Sequence, residues 1–191
     1  AKTALPLVLI LIISLIVFTF RSVGQTLAIF ALIPFSLIGV AWGHFLHNNQ
    51  LSILSFLGIV ALIGIIVNDS LVLVTKLNSY LKEGMKFKDA VFQAGYMRFR
   101  AIFLTSATTI AGLAPLLFER SFQAQFLKPM AIAVAYGIGI ATVLTLIVLP
   151  VILLVLNHIR VWWRHFWYGQ EVSHESVEPA IRELKVDNES D

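Results

Sequence analysis

The chain has 191 residues, of which 58% are hydrophobic and only 13% are charged, with a net charge of +3 at pH 7. A soluble domain carries about twice that share of charged residues, so the composition excludes an ordinary soluble fold and indicates an integral membrane protein. The chain has no cysteine, which excludes disulfides. It starts at Ala1, almost inside an apolar run and without the basic n-region of a signal peptide. We therefore expect a fragment whose upstream part is missing.

Five apolar runs are long enough to cross a bilayer, since a spanning helix needs about 20 residues and as few as about 17 suffice. The second run contains Pro34 and Gly39, which membrane helices tolerate better than soluble ones. The sequence therefore predicts an all-α, polytopic bundle of five transmembrane helices within residues 1–158. The runs cover approximately residues 4–20, 26–46, 51–76, 101–118 and 126–157.

Two polar stretches flank the later runs. Residues 77–100 form the one sizeable connection, and within it residues 86–98 fit an amphipathic helix at the membrane interface and, equally, a solvated linker helix. After the last run, residues 159–168 mix aromatic side chains with arginine, which beside a span indicates an interfacial anchor rather than a nucleic-acid contact. Beyond Gly169 the polar, acidic composition predicts disorder, so residues 159–191 are interpreted as a tail.

The distribution of positive charge predicts the orientation. With five spans the two ends lie on opposite sides, and the side richer in Lys and Arg faces the cytoplasm. Nine basic residues lie after runs one and three and at the start of the tail, whereas the two connections on the opposite side have only Arg120 and Lys128. The tail and the connector at 77–100 are therefore predicted to be cytoplasmic. The nine are Arg21, Lys76, Lys82, Lys86, Lys88, Arg98, Arg100, Arg160 and Arg164.

A polar triplet, Asn68-Asp69-Ser70, interrupts the third run, and Asp69 is the only acidic residue in any of the five runs. A carboxylate at the centre of a membrane helix costs about 3 kcal/mol on insertion scales, so Asp69 is either protonated or has partners in a protein-lined or watery cavity. Function is the default hypothesis for such a residue, and a neutral contact between helices is the structural alternative. At this depth the triplet cannot act as a glycosylation site.

A second polar cluster lies in the fourth run, where Thr105, Thr108 and Thr109 share one helix face next to Ser106. Helical rise places Asp69 and Thr108 each about 10–12 Å from the same membrane surface, so the two clusters can face each other. This pairing would hydrogen-bond a titrating carboxylate, whereas hydroxyls that satisfy only their own backbone are the alternative. Glycines expected to permit close helix approach are Gly58, Gly64, Gly112, Gly137 and Gly139.

The sequence contains no phosphate-binding loop, nucleophile elbow or metal-ligand motif. His44 and His47 lack a neighbouring carboxylate, which makes them weak candidates for a metal site. We therefore expect neither an enzyme nor a cofactor. Any energy input must come from protons, other ions or another subunit.

Four blocks then stand in a characteristic order. They include Ile33-Pro34-Phe35 with Gly43-His44, Gly64-Ile65-Ile66-Val67-Asn68-Asp69-Ser70, Arg98-Phe99-Arg100 with Leu104-Thr105-Ser106, and Gln123-Ala124-Gln125-Phe126 with Pro129-Met130-Ala131. Over roughly residues 4–158 this order resembles the resistance-nodulation-division (RND) efflux permeases, of the type that exports hydrophobic and amphiphilic compounds. The resemblance implies the last five helices of a twelve-helix permease.

What the resemblance implies extends beyond this chain. Such permeases work as homotrimers in the inner membrane of Gram-negative bacteria, in contact with membrane lipids and with no role in nucleic-acid binding. They usually join a periplasmic adaptor and an outer-membrane channel, and proton influx drives their export of drugs and other compounds. Alternatives are a lipid-, metal- or protein-exporting relative and, in another class, a non-transporting scaffold or assembly protein.

The resemblance also assigns candidate residues of the proton relay. Asn68 stands where well-known drug exporters have a lysine, and Asp69 is one position further along. Thr105 matches a threonine associated with the relay, and Ser106 is its neighbour. The candidate relay residues are Asp69, Asn68, Thr105, Ser106, Thr108 and Thr109, of which Asp69 is interpreted as a second-half contributor rather than the principal proton carrier.

Overall fold

The computed structural model describes residues 23–168, 174, 176–178, 180 and 181. In this part of the chain every regular element is helical. The helices are α1 (Val23–Leu46), α2 (Ile53–Lys82), α3 (Phe87–Phe118), α4 (Phe122–Val143) and α5 (Leu149–Tyr168), and a π-helical segment, Leu144–Val148, joins α4 to α5.

Four stretches of the described residues are long and apolar enough to cross a membrane. Three of them are α1, α2 and α3, and the fourth is the unit of α4 and α5, which is apolar over Phe122–Trp163. They correspond to the second to fifth apolar runs, so the all-helical class is confirmed and these four runs lie in helices long and apolar enough to span a membrane. The first predicted span, residues 4–20, lies outside the described residues.

The connection between α2 and α3 is shorter than the sequence indicates. Only residues 83–86 separate the two helices, whereas the hydropathy pattern assigned residues 77–100 to a connector. Gly84 closes this turn with a φ of +85°, in the left-handed region that glycine enters without steric cost. Most of the charged residues in this stretch therefore lie near the end of α2 or the start of α3, and not in a long loop.

The first turns of α3 contain the stretch interpreted as an amphipathic helix, residues 86–98. Val91 and Ala94 are buried against the bundle, while Lys88 and Asp89 on the other face are exposed. One face of this segment is thus buried, and the helix runs without a break into the apolar run that follows. Charged residues lowered the local hydropathy without ending the helix.

The helix α4 occupies the centre of the bundle and contacts α1, α2 and α3. Two glycines on its neighbours allow this close approach. A Cβ on Gly39 of α1 would lie 2.5 Å from the carbonyl oxygen of Tyr136, and a Cβ on Gly58 of α2 would lie 2.8 Å from that of Met130. Small residues thus set the spacing of the helices, as is common in membrane bundles.

The glycines selected from the sequence fall into two groups. Gly58 and Gly137 lie at tight helix contacts, whereas a Cβ on Gly64 or Gly112 would meet nothing within 4 Å among the described residues. Gly139 is intermediate, because its nearest neighbour would be 3.9 Å away, an ordinary van der Waals distance. Tight contacts that the sequence interpretation missed are those of Gly39 and Gly43 with α4.

A π-helical segment separates α4 from α5. The amide of Leu149 donates to the carbonyl of Leu144, five residues earlier, which widens the helix by one residue. Pro150 follows directly and has no amide hydrogen to donate. We attribute the wider turn to this proline, whose ring would otherwise clash with the preceding turn.

The bundle is apolar both in its interior and on its outer surface. The interior is filled by fully buried aliphatic side chains such as Leu62, Leu73 and Ile132, while large apolar side chains such as Trp42 and Phe103 are exposed on the outside. An outer surface of this kind suits contact with lipid chains or with further membrane helices. The candidate functional residues are therefore the few polar side chains that interrupt these apolar regions.

The tail also packs against the bundle. Val177, Glu178 and Ala180 are each at most 4% exposed, and Ile181 contacts the hydrophobic core. The sequence predicts disorder beyond Gly169, whereas these described tail residues contact the bundle.

Candidate functional site

The polar triplet lies in the middle of α2, with apolar turns before and after it. Helical geometry separates its members: Asn68 is exposed, Asp69 is half-buried and Ser70 is fully buried. Among the described residues, no hydrogen bond or ion pair joins Asn68 or Asp69 to another side chain. The only carboxylate in the middle of a described span thus lies at the surface of this part of the protein.

Ser70 points the other way, into the packed interior. Its Oγ atom is the one buried side-chain N or O atom in the described residues that has no hydrogen-bond partner. An unsatisfied buried hydroxyl costs about 1–3 kcal/mol, which is a reason to regard Ser70 as part of a functional region.

The threonines of α3 satisfy their own helix. Hydroxyls of Thr105 and Thr109 donate to backbone carbonyls four residues earlier, at 2.8 Å in both cases. The hydroxyl of Thr108 lies 2.9 Å from the carbonyls of both Leu104 and Thr105. Thr105 and Thr108 are exposed and Thr109 is half-buried. Each hydroxyl oxygen still has lone pairs that can accept a hydrogen bond from an outside donor.

Ser106 differs from these threonines. It is 4% exposed, and its hydroxyl is hydrogen-bonded to that of Thr142 on α4, with 2.5 Å between the oxygens. The Thr142 hydroxyl also contacts the carbonyl of Ile138 at 2.8 Å. Ser106 therefore joins α3 to α4, whereas the neighbouring threonines lie on the outer side of α3.

The six candidate residues occupy two adjacent helices, since α2 and α3 contact each other. Within the described residues, however, no hydrogen bond links Asn68 or Asp69 to any hydroxyl of α3. The interpretation that the two clusters face each other at matched depth stays a prediction. The structure does show that both clusters are accessible from outside this bundle, apart from the buried Ser70 and Ser106.

Another group of polar side chains lies beside the turn between α1 and α2. The sequence indicated only a weak metal site there, at His44 and His47. His44 is 5% exposed and bonds to Ser55, while His47 lies 3.1 Å from the hydroxyl of Tyr136. Burial lowers the pKa of His47, and the positive charge of Lys128 lowers it further. No group of three metal-binding side chains occurs in the described residues. The two histidines form hydrogen bonds with Ser55 of α2 and Tyr136 of α4.

The apolar helices and their interrupting polar residues define the class first: this is a multi-pass helical membrane protein with a carboxylate inside a span. A sequence model of the AcrB/AcrD/AcrF family matches residues 1–157 of the chain. The chain therefore belongs to this family of RND permeases, which are transporters and not enzymes.

Proposed function

We propose that this chain forms part of a proton-driven RND exporter of hydrophobic or amphiphilic compounds, including drugs. The observation that supports it most directly is Asp69, a half-buried carboxylate in the middle of a spanning helix that no described side chain neutralises. Its position in a member of a transporter family makes a role in proton coupling the leading hypothesis.

The surface around Asp69 supports a site shared with further protein. Exposed Asn68 lies on one side and the exposed hydroxyls of Thr105 and Thr108 are on the adjacent helix. Polar and ionisable groups inside a membrane face a protein interior or a water-filled cavity rather than lipid. Asp69 therefore acts as an auxiliary protonatable group, with Asn68, Thr105, Thr108 and Thr109 supplying hydrogen-bond partners, and the principal acids of the relay come from outside this chain.

Placement in the cell follows from the same proposal. The transporter is a homotrimer in the bacterial inner membrane that joins a periplasmic adaptor and an outer-membrane channel. The end of the bundle that carries Lys82, Lys86 and Arg160 faces the cytoplasm, because positively charged residues favour that side. The opposite end, with Glu119 and Lys128, faces the periplasm.

Accumulation of a fluorescent substrate in cells that lack other exporters tests this proposal. Cells that express the transporter carrying this chain accumulate less dye, and a protonophore abolishes the difference. Asp69→Asn removes the titratable group and keeps the shape of the side chain, so we expect it to reduce efflux at least about tenfold, as loss of a positioned proton acceptor does. The amount of protein in the membrane stays the same.

The matched control is Asp89→Asn. Asp89 is exposed in the first turn of α3, where loss of one charge leaves the interior of the spans unchanged. We expect efflux by this variant to equal that of the unmodified transporter. Full efflux by Asp69→Asn would assign Asp69 a purely structural role, and efflux that resists the protonophore would contradict proton coupling.

A further inference from the structure

A buried polar cluster lies at the end of the bundle opposite His44. It contains Gln25 of α1, Asn78 of α2, and Asn157 and Arg160 of α5, which together we call the tail-docking site. Gln25 and Asn157 are 2% and 1% exposed. Three helices therefore contribute polar side chains to one cluster, although the residues are far apart in sequence.

The carboxylate of Glu178 occupies this site. Its Oε1 atom accepts a hydrogen bond from the Asn157 amide at 2.8 Å, and its Oε2 atom accepts one from the Gln25 amide at 3.3 Å. The Nη1 atom of Arg160 lies 3.5 Å from both oxygens. Each carboxylate oxygen thus has its own amide donor and shares one guanidinium group. The Glu178 side chain is only 3% exposed.

The helices hold this site in shape. The side-chain amides of Gln25 and Asn78 exchange two hydrogen bonds, at 3.0 and 3.2 Å, which orients the Gln25 amide nitrogen. Gly24 leaves room for the Arg160 guanidinium, because a Cβ at this position would overlap it. A glycine next to an orienting amide pair is consistent with a site formed by the bundle itself.

A second set of hydrogen bonds joins Asn157 to another residue of the tail, His174. The Asn157 amide donates to the backbone carbonyl of His174 at 2.8 Å, and its oxygen accepts from Nδ1 of the His174 ring at 2.8 Å. Both the nitrogen and the oxygen of the Asn157 side-chain amide thus form hydrogen bonds with tail residues. Apolar contacts accompany these bonds, since Val177 and Ala180 are each 4% exposed.

Burial of a carboxylate is unfavourable unless a charge and hydrogen bonds compensate for its lost hydration. Glu178 has both, and truncation of either partner would leave an uncompensated buried charge. An adventitious surface ion pair would be exposed and would involve one donor. The burial and the convergence of three donors therefore indicate a specific binding site.

We propose that Gln25, Asn78, Asn157 and Arg160 form a carboxylate-binding site whose ligand is Glu178, and that this contact docks the C-terminal tail onto the bundle. Docking ties the ends of α1, α2 and α5 together at the surface from which the tail emerges. This site lies at one end of the helices, away from the candidate relay in their middle, and the inference does not depend on proton coupling.

Thiol accessibility measures docking directly, since the chain has no cysteine of its own. Val177→Cys and Ala180→Cys each place a thiol at a buried tail position. Lys88→Cys, at an exposed position of α3, supplies the reference for full accessibility. The transporter carrying this chain, without other cysteines, is reconstituted in lipid nanodiscs so that a polar maleimide reaches both faces.

In the unmodified background both tail thiols react at least about tenfold more slowly than the reference, as expected when docked molecules outnumber undocked ones by about ten to one. Glu178→Ala removes the carboxylate, leaves the bundle intact, and raises both rates to the reference value. The matched control, Glu83→Ala, removes an exposed carboxylate at the turn between α2 and α3 and leaves the protection unchanged.

Arg160→Gln tests the receiving side of the site. Loss of the guanidinium leaves Glu178 without its charged partner, so the tail thiols also become accessible while the Lys88→Cys reference is unaffected. Rapid labelling of both tail thiols in the unmodified background would overturn the proposal. Protection that persists in Glu178→Ala would overturn it as well, because the carboxylate would then not be the group that docks the tail.

Discussion

The Nε2 atom of His44 lies 2.8 Å from the Oγ atom of Ser55, and this bond joins α1 to α2 beside the turn that connects them. The Nδ1 atom of His44 lies 2.9 Å from the carbonyl oxygen of Val40, which can only accept, so Nδ1 carries the proton. In the neutral ring Nε2 is then an acceptor, and the Ser55 hydroxyl donates to it. The tautomer of His44 thus sets the direction of the hydrogen bond that connects the two helices.

Ser55→Ala should destabilise the bundle by about 1–3 kcal/mol, because it leaves the buried Nε2 of His44 without a donor. Ser55 also closes a reciprocal cap with Ser52, whose loss adds to the effect. The measurement is the free energy of unfolding in mixed micelles. Thr75→Ala is the control, since the exposed Thr75 hydroxyl bonds only to its own helix and its loss should cost at most about 0.5 kcal/mol. Equal effects of the two variants would contradict the role assigned to His44.

Gly58→Ala should also destabilise the protein. The added Cβ would lie 2.8 Å from the carbonyl oxygen of Met130 and 2.9 Å from the Cβ of Ala133, so α2 and α4 must move apart, at a cost of about 1–3 kcal/mol. Gly64→Ala, on the same helix, meets open space among the described residues and should leave stability unchanged or slightly increased. Thermal unfolding midpoints of the two variants compare them, and a stable Gly58→Ala protein would refute the close contact.

Ser106 and Thr105 are neighbours that should give opposite results. Ser106→Ala removes the bond to Thr142 between α3 and α4 and should lower stability by about 0.6 kcal/mol or more, with transport changed less. Thr105→Val removes an exposed hydroxyl that bonds only within α3, so it should leave stability almost unchanged and reduce transport. Measurement of unfolding and efflux on both variants checks this division, which fails if both variants lose the same property.

Glu119 should make stability depend on pH. Backbone amides of Ser121 and Arg120 donate to its carboxylate at 3.1 and 2.9 Å, and these bonds lower its pKa from the ordinary value of 4.5. Because the folded pKa is depressed, the stabilisation is present in full above pH 4.5 and is lost as the pH falls through the folded pKa.

Glu119→Gln tests whether the stability of the protein depends on pH through this carboxylate. The amide cannot ionise, so the unfolding midpoint of the variant should lie below that of the unmodified protein at neutral pH, and the difference should shrink on acidification. Glu83→Gln provides the control at the opposite end of α3. A midpoint difference that does not change with pH would contradict the role of the ionised carboxylate.

Hydropathy predicted the all-helical class and the four described spans. Each of these helices is apolar along much of its length, both where it packs inside the bundle and where it faces outward. Hydropathy did not show how far the helices extend beyond the apolar runs: α3 begins at Phe87, within the stretch 77–100 that the sequence indicates to be a polar connection. Periodicity grouped Ser106 with Thr105 but could not show that only Ser106 faces α4. Helix spacing could not distinguish Gly58, which lies at a tight contact, from Gly64, which does not.

The tail-docking site lay beyond sequence reasoning for a different reason. Gln25 and Glu178 are 153 positions apart, and a lone carboxylate in an acidic tail resembles a solvated residue. The one available signal was that Gln25 and Asn157 are polar residues at the ends of apolar runs. Asp69 could be identified from sequence because a carboxylate inside a span is unfavourable wherever its partners lie.

The most direct test of proton coupling through Asp69 is transport into proteoliposomes under an imposed pH gradient. The transporter carrying this chain should move a fluorescent substrate faster as the gradient increases, and Asp69→Asn should weaken that dependence while still binding substrate. Asp89→Asn should keep it. The same response to the gradient in Asp69→Asn as in the unmodified transporter would contradict the role of Asp69 in coupling.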